Sequence, residues 1–106
     1  MHTYQGGALQ ALADPTRRQI FEVLAEGPHS VTAIAGRVPI SRPAVSQHLK
    51  VLRDGGLVSV RAEGTRRVYT VDPAGVAEIR AYFEQFWTRS LAAFAQAVDN
   101  PTEETT

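Results

Sequence analysis

A mainly helical α+β fold, with about five helices and one β-hairpin, is predicted from three features of this 106-residue sequence. Apolar residues recur at helical spacing in several short segments, most of which open on a capping residue. Two β-branched runs flank a glycine-containing turn. A long segment rich in aromatic residues then closes the ordered part of the chain. One domain is expected over residues 1–99. The polar, acidic stretch 100–106 (Asn100 to Thr106) is expected to be disordered.

The elements follow in order. Ala8 to Ala13 is short and helix-prone. Asp14-Pro15 supplies an N-cap with proline in the first helical position, and the helix it opens directs Ile20, Val23 and Leu24 inward before stopping at Gly27-Pro28. Ser30 caps a brief third helix, Val31 to Arg37, and Val38-Pro39-Ile40 connects it tightly to the next. Ser41 caps a fourth helix with Pro43 in its first turn, where a missing N–H costs little. Val45, Leu49 and Leu52 form its buried stripe at i, i+4 and i+7. Gly55-Gly56 ends it. Leu57–Arg61 and Val68–Val71 are the hairpin strands, with residues 62–67 as the turn, and Pro73 starts a helix running to about Val98.

The fourth helix carries the chemistry. At 100° per residue Pro43, Gln47 and Lys50 face away from the apolar stripe, with Arg42, Ser46 and Arg53 on one flank and His48 on the other. Glutamine pairs with adenine N6 and N7, arginine with guanine O6 and N7, and serine with several partners. The candidate nucleic-acid contacts are therefore Ser41, Arg42, Ser46, Gln47, His48, Lys50 and Arg53, with Thr65, Arg66 and Arg67 from the hairpin tip. Among these, Gln47, Ser46 and Arg42 are expected to read bases, and Lys50, Arg53, Arg66 and Arg67 to hold phosphates. The plainer reading of the helix is an ordinary polar face, and that of the hairpin a solvated charged turn. His48 sits at the boundary of the stripe, either as a partly buried histidine bonded to a nearby acceptor or as a phosphate or base contact. Two successive short helices, a recognition-type helix and a basic hairpin make a winged helix-turn-helix.

Net charge is zero, yet its distribution is uneven. Residues 41–67 hold six basic and two acidic side chains, a local charge of +4, which leaves −4 for the remainder. Local charge governs contact with phosphates. There is no cysteine, which excludes disulfides and thiolate metal sites, and three scattered histidines make a poor metal set. No cofactor is expected. The sequence offers no phosphate-cradling glycine loop, and Ser46, His48 and Asp54 lie on one helix and do not converge as a triad, so an enzyme is not expected. No apolar run is long enough for a membrane span and the first seven residues do not read as a signal peptide, so a cytoplasmic protein without membrane contact is expected.

The last helix places Ile79, Tyr82, Phe83, Phe86, Trp87, Leu91 and Phe94 on one broad stripe. The plainer reading has this stripe close the monomer core; because it is wider than a small core needs, Phe83, Phe86, Trp87, Leu91 and Phe94 are expected to meet a second copy of the chain. A different reading makes the cleft near Tyr82, Phe83 and Trp87 the functional surface of a ligand-responsive or protein-interaction module that binds DNA only weakly.

These motifs resemble the ArsR-type winged-helix repressors. Ala11 to Ile20 (ALADPTRRQI) is similar to the family's opening. Ser41 to Leu52 followed by Gly55-Gly56-Leu57-Val58 resembles its recognition helix and exit, and Gly64-Thr65-Arg66-Arg67-Val68-Tyr69 its wing. The likeness spans Ala8 to Phe94. It implies a homodimer joined through the first and last helices, with Leu9 and Leu12 added to the interface, repressing at a palindromic operator that is often its own promoter. Metal-sensing members use a cysteine pair in the third helix or Asp and His in the last. Here the third helix is Val31-Thr32-Ala33-Ile34-Ala35-Gly36-Arg37, and the last lacks histidine and spaces Glu78 and Glu84 differently. The chain thus resembles the non-metal branch, including actinobacterial autorepressors that share Phe86-Trp87-Thr88-Arg89. Any small-molecule inducer is unknown from sequence.

Overall fold

The computed structural model describes residues 3–99, with side chains from residue 7 onward; the expected tail, 100–106, lies outside them. α1 (Thr3–Ala11) and α2 (Pro15–Ala25) meet at a tight corner. Asp14 closes it by accepting the Arg17 backbone N–H at 3.0 Å, which satisfies one of the donors that a helix start leaves open. Arg17 and Arg18 reach back across the corner. Arg17 Nε donates to the Ala11 carbonyl at 2.6 Å and Arg18 Nη1 to that of Leu12 at 3.0 Å, so the end of α1 is capped by the helix that follows it. α1 stops at Ala11, two residues before the expected end, because Leu12 and Ala13 bond three residues back in a tightened last turn.

The chain continues through β1 (His29–Ser30), α3 (Val31–Ala35) and α4 (Arg42–Asp54). The two serine caps form as expected, Ser30 Oγ accepting from Ala33 N at 3.2 Å and Ser41 Oγ from Ala44 N at 3.3 Å. α3 is shorter than expected and ends at Ala35. β1 is not expected from sequence: His29 falls between the Gly27-Pro28 stop and the Ser30 cap, yet it pairs with Tyr69. Its ring Nδ1 also donates to the Gly27 carbonyl at 2.7 Å.

β2 (Val58–Glu63) and β3 (Arg66–Val71) form the hairpin, and the sheet order is β1-β3-β2. Glu63 pairs with Arg66, so the turn is only Gly64-Thr65 rather than the six residues expected. Gly64 has φ +63°, a conformation that the first loop residue of a II′ hairpin turn requires and that glycine adopts freely. The strands consequently extend to the arginines at the tip.

The core unites all of these pieces. Ile20, Leu24, Ile34, Val45, Leu49, Leu52 and Leu57 are fully buried, and Val68 and Tyr69 of β3 close the layer beneath α2 and α3. Each fully buried aliphatic side chain contributes about 1.5–3 kcal/mol. Val45, Leu49 and Leu52 together therefore fix which face of α4 turns outward.

α5 (Pro73–Asp99) runs 27 residues, about 40 Å at 1.5 Å per residue. Its start packs on α1, while every residue from Phe83 to Asp99 is exposed. The radius of gyration is 19.0 Å and the longest extent 67 Å; a compact domain of this length has a radius near 13 Å. α5 projects. Among the described residues no helix is long and apolar enough to cross a membrane.

Candidate nucleic-acid interface

The outward face of α4 begins at Ser41, whose hydroxyl is occupied by capping. Arg42, Ser46, Gln47, Lys50 and Arg53 are all exposed and His48 is half-buried. Three of these side chains have partners. Lys50 Nζ donates to Asp54 one turn on at 3.1 Å, an exposed pair worth little and readily exchanged for a phosphate. Arg42 Nη1 donates to Thr32 Oγ1 of α3 at 3.3 Å. His48 Nδ1 lies 3.8 Å from the Asp14 carboxylate, so the α2 cap and the flank of α4 share one group. Sequence left His48 open between two roles; in the fold it leans toward α2. Ser46, Gln47 and Arg53 have no hydrogen-bond or ion-pair partner among the described residues.

The hairpin stands beside this helix. Arg61 donates through Nε and Nη2 to Glu63 at 3.2 and 2.8 Å, an exposed ion pair like that of Lys50. Arg66 and Arg67 carry no ion pair among the described residues and are exposed. Thr65, Arg66 and Arg67 line one wall of a groove of about 280 Å³ whose other wall is Ser30, Val31 and Thr32. Sequence reading missed the α3 wall and the Thr32–Arg42 and Asp14–His48 contacts, since each joins residues brought together only by the tertiary fold.

A second feature lies away from this surface. Phe83, Phe86, Trp87, Leu91 and Phe94 are exposed, Trp87 at 66% and Phe94 at 67%. Tyr82 packs edge-on against Phe83 and Phe86, at 5.7 and 5.0 Å between ring centres, and Arg89 lies 5.5 Å over Phe86. Leu9 and Leu12 of the α1 corner are half-buried. Exposed apolar area of this extent marks an interaction surface. Among the described residues no three His, Cys, Asp or Glu side chains are grouped to hold a metal.

Fold and surface together define a winged helix-turn-helix DNA-binding domain. A family model described as a helix-turn-helix domain matches residues 12–61. The HTH-type transcriptional regulator Rv2034 of Mycobacterium tuberculosis is 52% identical, over 99% of this chain and 100% of its own. The chain belongs to the ArsR-type winged helix-turn-helix transcriptional regulators. Two solved structures agree. An ArsR-like transcriptional regulator from Rhodococcus superposes with a TM-score of 0.77 at 31% identity, over 90% of this chain and 92% of that one. The homodimeric winged helix-turn-helix DNA-binding domain Mb0332 of Mycobacterium bovis, a possible ArsR-family regulator, gives 0.65 at 33% identity, over 98% and 85%. The protein is accordingly a DNA-binding transcriptional regulator and not an enzyme.

Proposed function

We propose that the chain acts in the cytoplasm as a homodimeric, metal-independent repressor, each subunit setting α4 into a major groove of a palindromic operator, often that of its own promoter. The observation that carries this reading is the outward face of α4: Ser46, Gln47 and Arg53 are exposed and have no side-chain partner among the described residues, beside a wing tip whose Arg66 and Arg67 likewise carry no ion pair among them. Two half-sites then lie about 10 bp apart, one helical turn. Gln47 and Ser46 contribute base readout, and Lys50, Arg53, Arg66 and Arg67 hold phosphates. The exposed aromatic stripe of α5, with Leu9 and Leu12 of the α1 corner, supports a second copy as its cover, as does the homodimeric state of the related M. bovis domain.

Gel-shift titration against duplexes selected from random DNA tests the reading. Gln47→Ala is expected to weaken the selected site by roughly 1–3 kcal/mol per half-site and to relax its sequence preference. Unchanged selectivity would remove Gln47 from the readout. Metal independence is argued from the lack of cysteine in the sequence; chelator treatment should leave affinity unchanged, and a loss restored by zinc would overturn it. An open apolar groove of about 480 Å³ beside Phe83, Phe86 and Trp87 favours the second reading, a ligand-responsive module with weak DNA binding. Tight, salt-sensitive binding to the selected duplex would dismiss it.

A further inference from the structure

We infer that the groove between α3 and the wing is a binding site for one phosphodiester of duplex DNA, and that Arg42 serves this site rather than reading a base. The inference rests on the DNA-binding reading above and alters the role that sequence assigns to Arg42.

Two guanidinium groups, Arg66 and Arg67, line the groove from the wing, and a third, Arg42 of α4, reaches its opposite wall at Thr32, whose hydroxyl accepts the Arg42 Nη1–H at 3.3 Å. Arg42 is the first residue of α4, and this bond holds its guanidinium at α3. The two walls are fixed to each other by β1, since Ser30 pairs with Val68 in the central strand. The site is thus built on a sheet register rather than on a loose loop.

The electrostatics favour an anion. The sequence from Gly27 to Arg53 contains no carboxylate. Glu63, opposite Arg66 across the hairpin, is engaged twice by Arg61. None of Arg42, Arg66 and Arg67 has an ion pair among the described residues. Guanidinium groups offer planar pairs of N–H donors that match phosphate oxygens, and the hydroxyl of Thr65 adds a neutral donor of the kind common at DNA backbones. A base edge lies in the floor of a groove and is read from the middle of the helix face; a side chain tied to the preceding helix is set toward the backbone flank instead.

The test compares a duplex selected by the protein with a scrambled duplex of the same length, over a series of salt concentrations. Arg42→Ala is expected to weaken both duplexes by the same factor and to lower the slope of log K against log[salt] by about 0.9 per subunit. Thr32→Val keeps the side-chain size and removes the acceptor; it should move affinity in the same direction, and the double variant should lose no more than Arg42→Ala alone. Both residues are exposed, so the fold tolerates the changes. An unchanged salt slope in Arg42→Ala, with selectivity lost at one base pair, would overturn the site and return Arg42 to base reading. A wild-type protein with no salt-dependent binding to either duplex would instead overturn the DNA-binding reading itself, and this site with it.

Discussion

Gly75, in the first turn of α5, packs directly on the carbonyl of Gly56 at the exit from α4. A Cβ built on Gly75 would overlap the Gly56 carbonyl oxygen and stand 3.0 Å from the Leu57 Cα. The obstacle is backbone on both sides and has no flexible end to move aside. The base of α5 is therefore set against the end of α4 by main-chain contact.

Gly75→Ala should accordingly destabilise the fold, although alanine is the better helix former by about 1 kcal/mol. Overpacking costs about 1–3 kcal/mol in a rigid setting, so a net loss is expected. The check is a lowered urea midpoint at unchanged m-value. Gly7→Ala is the contrast: among the described residues its Cβ would meet only the Gly55 Cα, at 4.0 Å, and the helix interior should gain about 0.5–1 kcal/mol. Equal effects at the two positions would show that the contact at Gly75 is not what matters.

The N-cap at Asp14 gives a second prediction. Asp14→Ala removes the acceptor for Arg17 N–H and should cost about 1 kcal/mol, whereas Asp14→Asn retains an acceptor and should cost less. Both variants also remove the carboxylate charge beside His48. Chemical denaturation of the pair separates the cap from the charge: the cap dominates if the asparagine variant stays near wild type.

These examples show where sequence was informative. The stripe Val45, Leu49, Leu52 and the caps Asp14, Ser30 and Ser41 follow from period and local hydrogen bonding, which are properties of short segments. β1 is not legible in the sequence because two residues carry no alternation. From sequence the wing turn reads too long because Arg66-Arg67 are polar, although they continue the ladder opposite Ala62 and Glu63. Gly75 in sequence signals only a weaker helix. Its packing on Gly56, like the Thr32–Arg42 bond, depends on how distant segments meet.

The Glu26–Arg37 pair predicts a pH effect. Arg37 contacts both carboxylate oxygens at 3.0 Å, linking the end of α2 to the turn after α3. The Arg37 hydrogen bond, then its charge, hold the Glu26 carboxyl below its ordinary value of 4.5, with a smaller effect from His29. A depressed folded pKa means that the pair stabilises the fold fully above the ordinary glutamate value and ceases to do so as pH falls through the lowered one. Arg37 is itself raised and stays charged throughout that range. Arg37→Ala should therefore lower the denaturation midpoint slightly at neutral pH, less at high salt, and not at all in acid. A difference that persists in acid would point to packing rather than charge.

The stripe on α5 makes the strongest demand. Phe94 is 67% exposed and lies within the stretch, Phe83 to Asp99, where no residue is even half-buried. Phe94→Glu should therefore leave the domain folded, with its thermal transition intact. In the proposed dimer the same change places a carboxylate in an apolar contact, where an unpaired charge is strongly disfavoured. Sedimentation should then report a monomer. Trp87, the one tryptophan in the sequence, supplies an independent readout, because its emission should shift to the red as the cover is lost. Operator affinity should fall about 100-fold or more, since each subunit now binds its half-site without the effective concentration that the partner provides. A variant that remains dimeric and keeps its affinity would show that the second copy covers some other face.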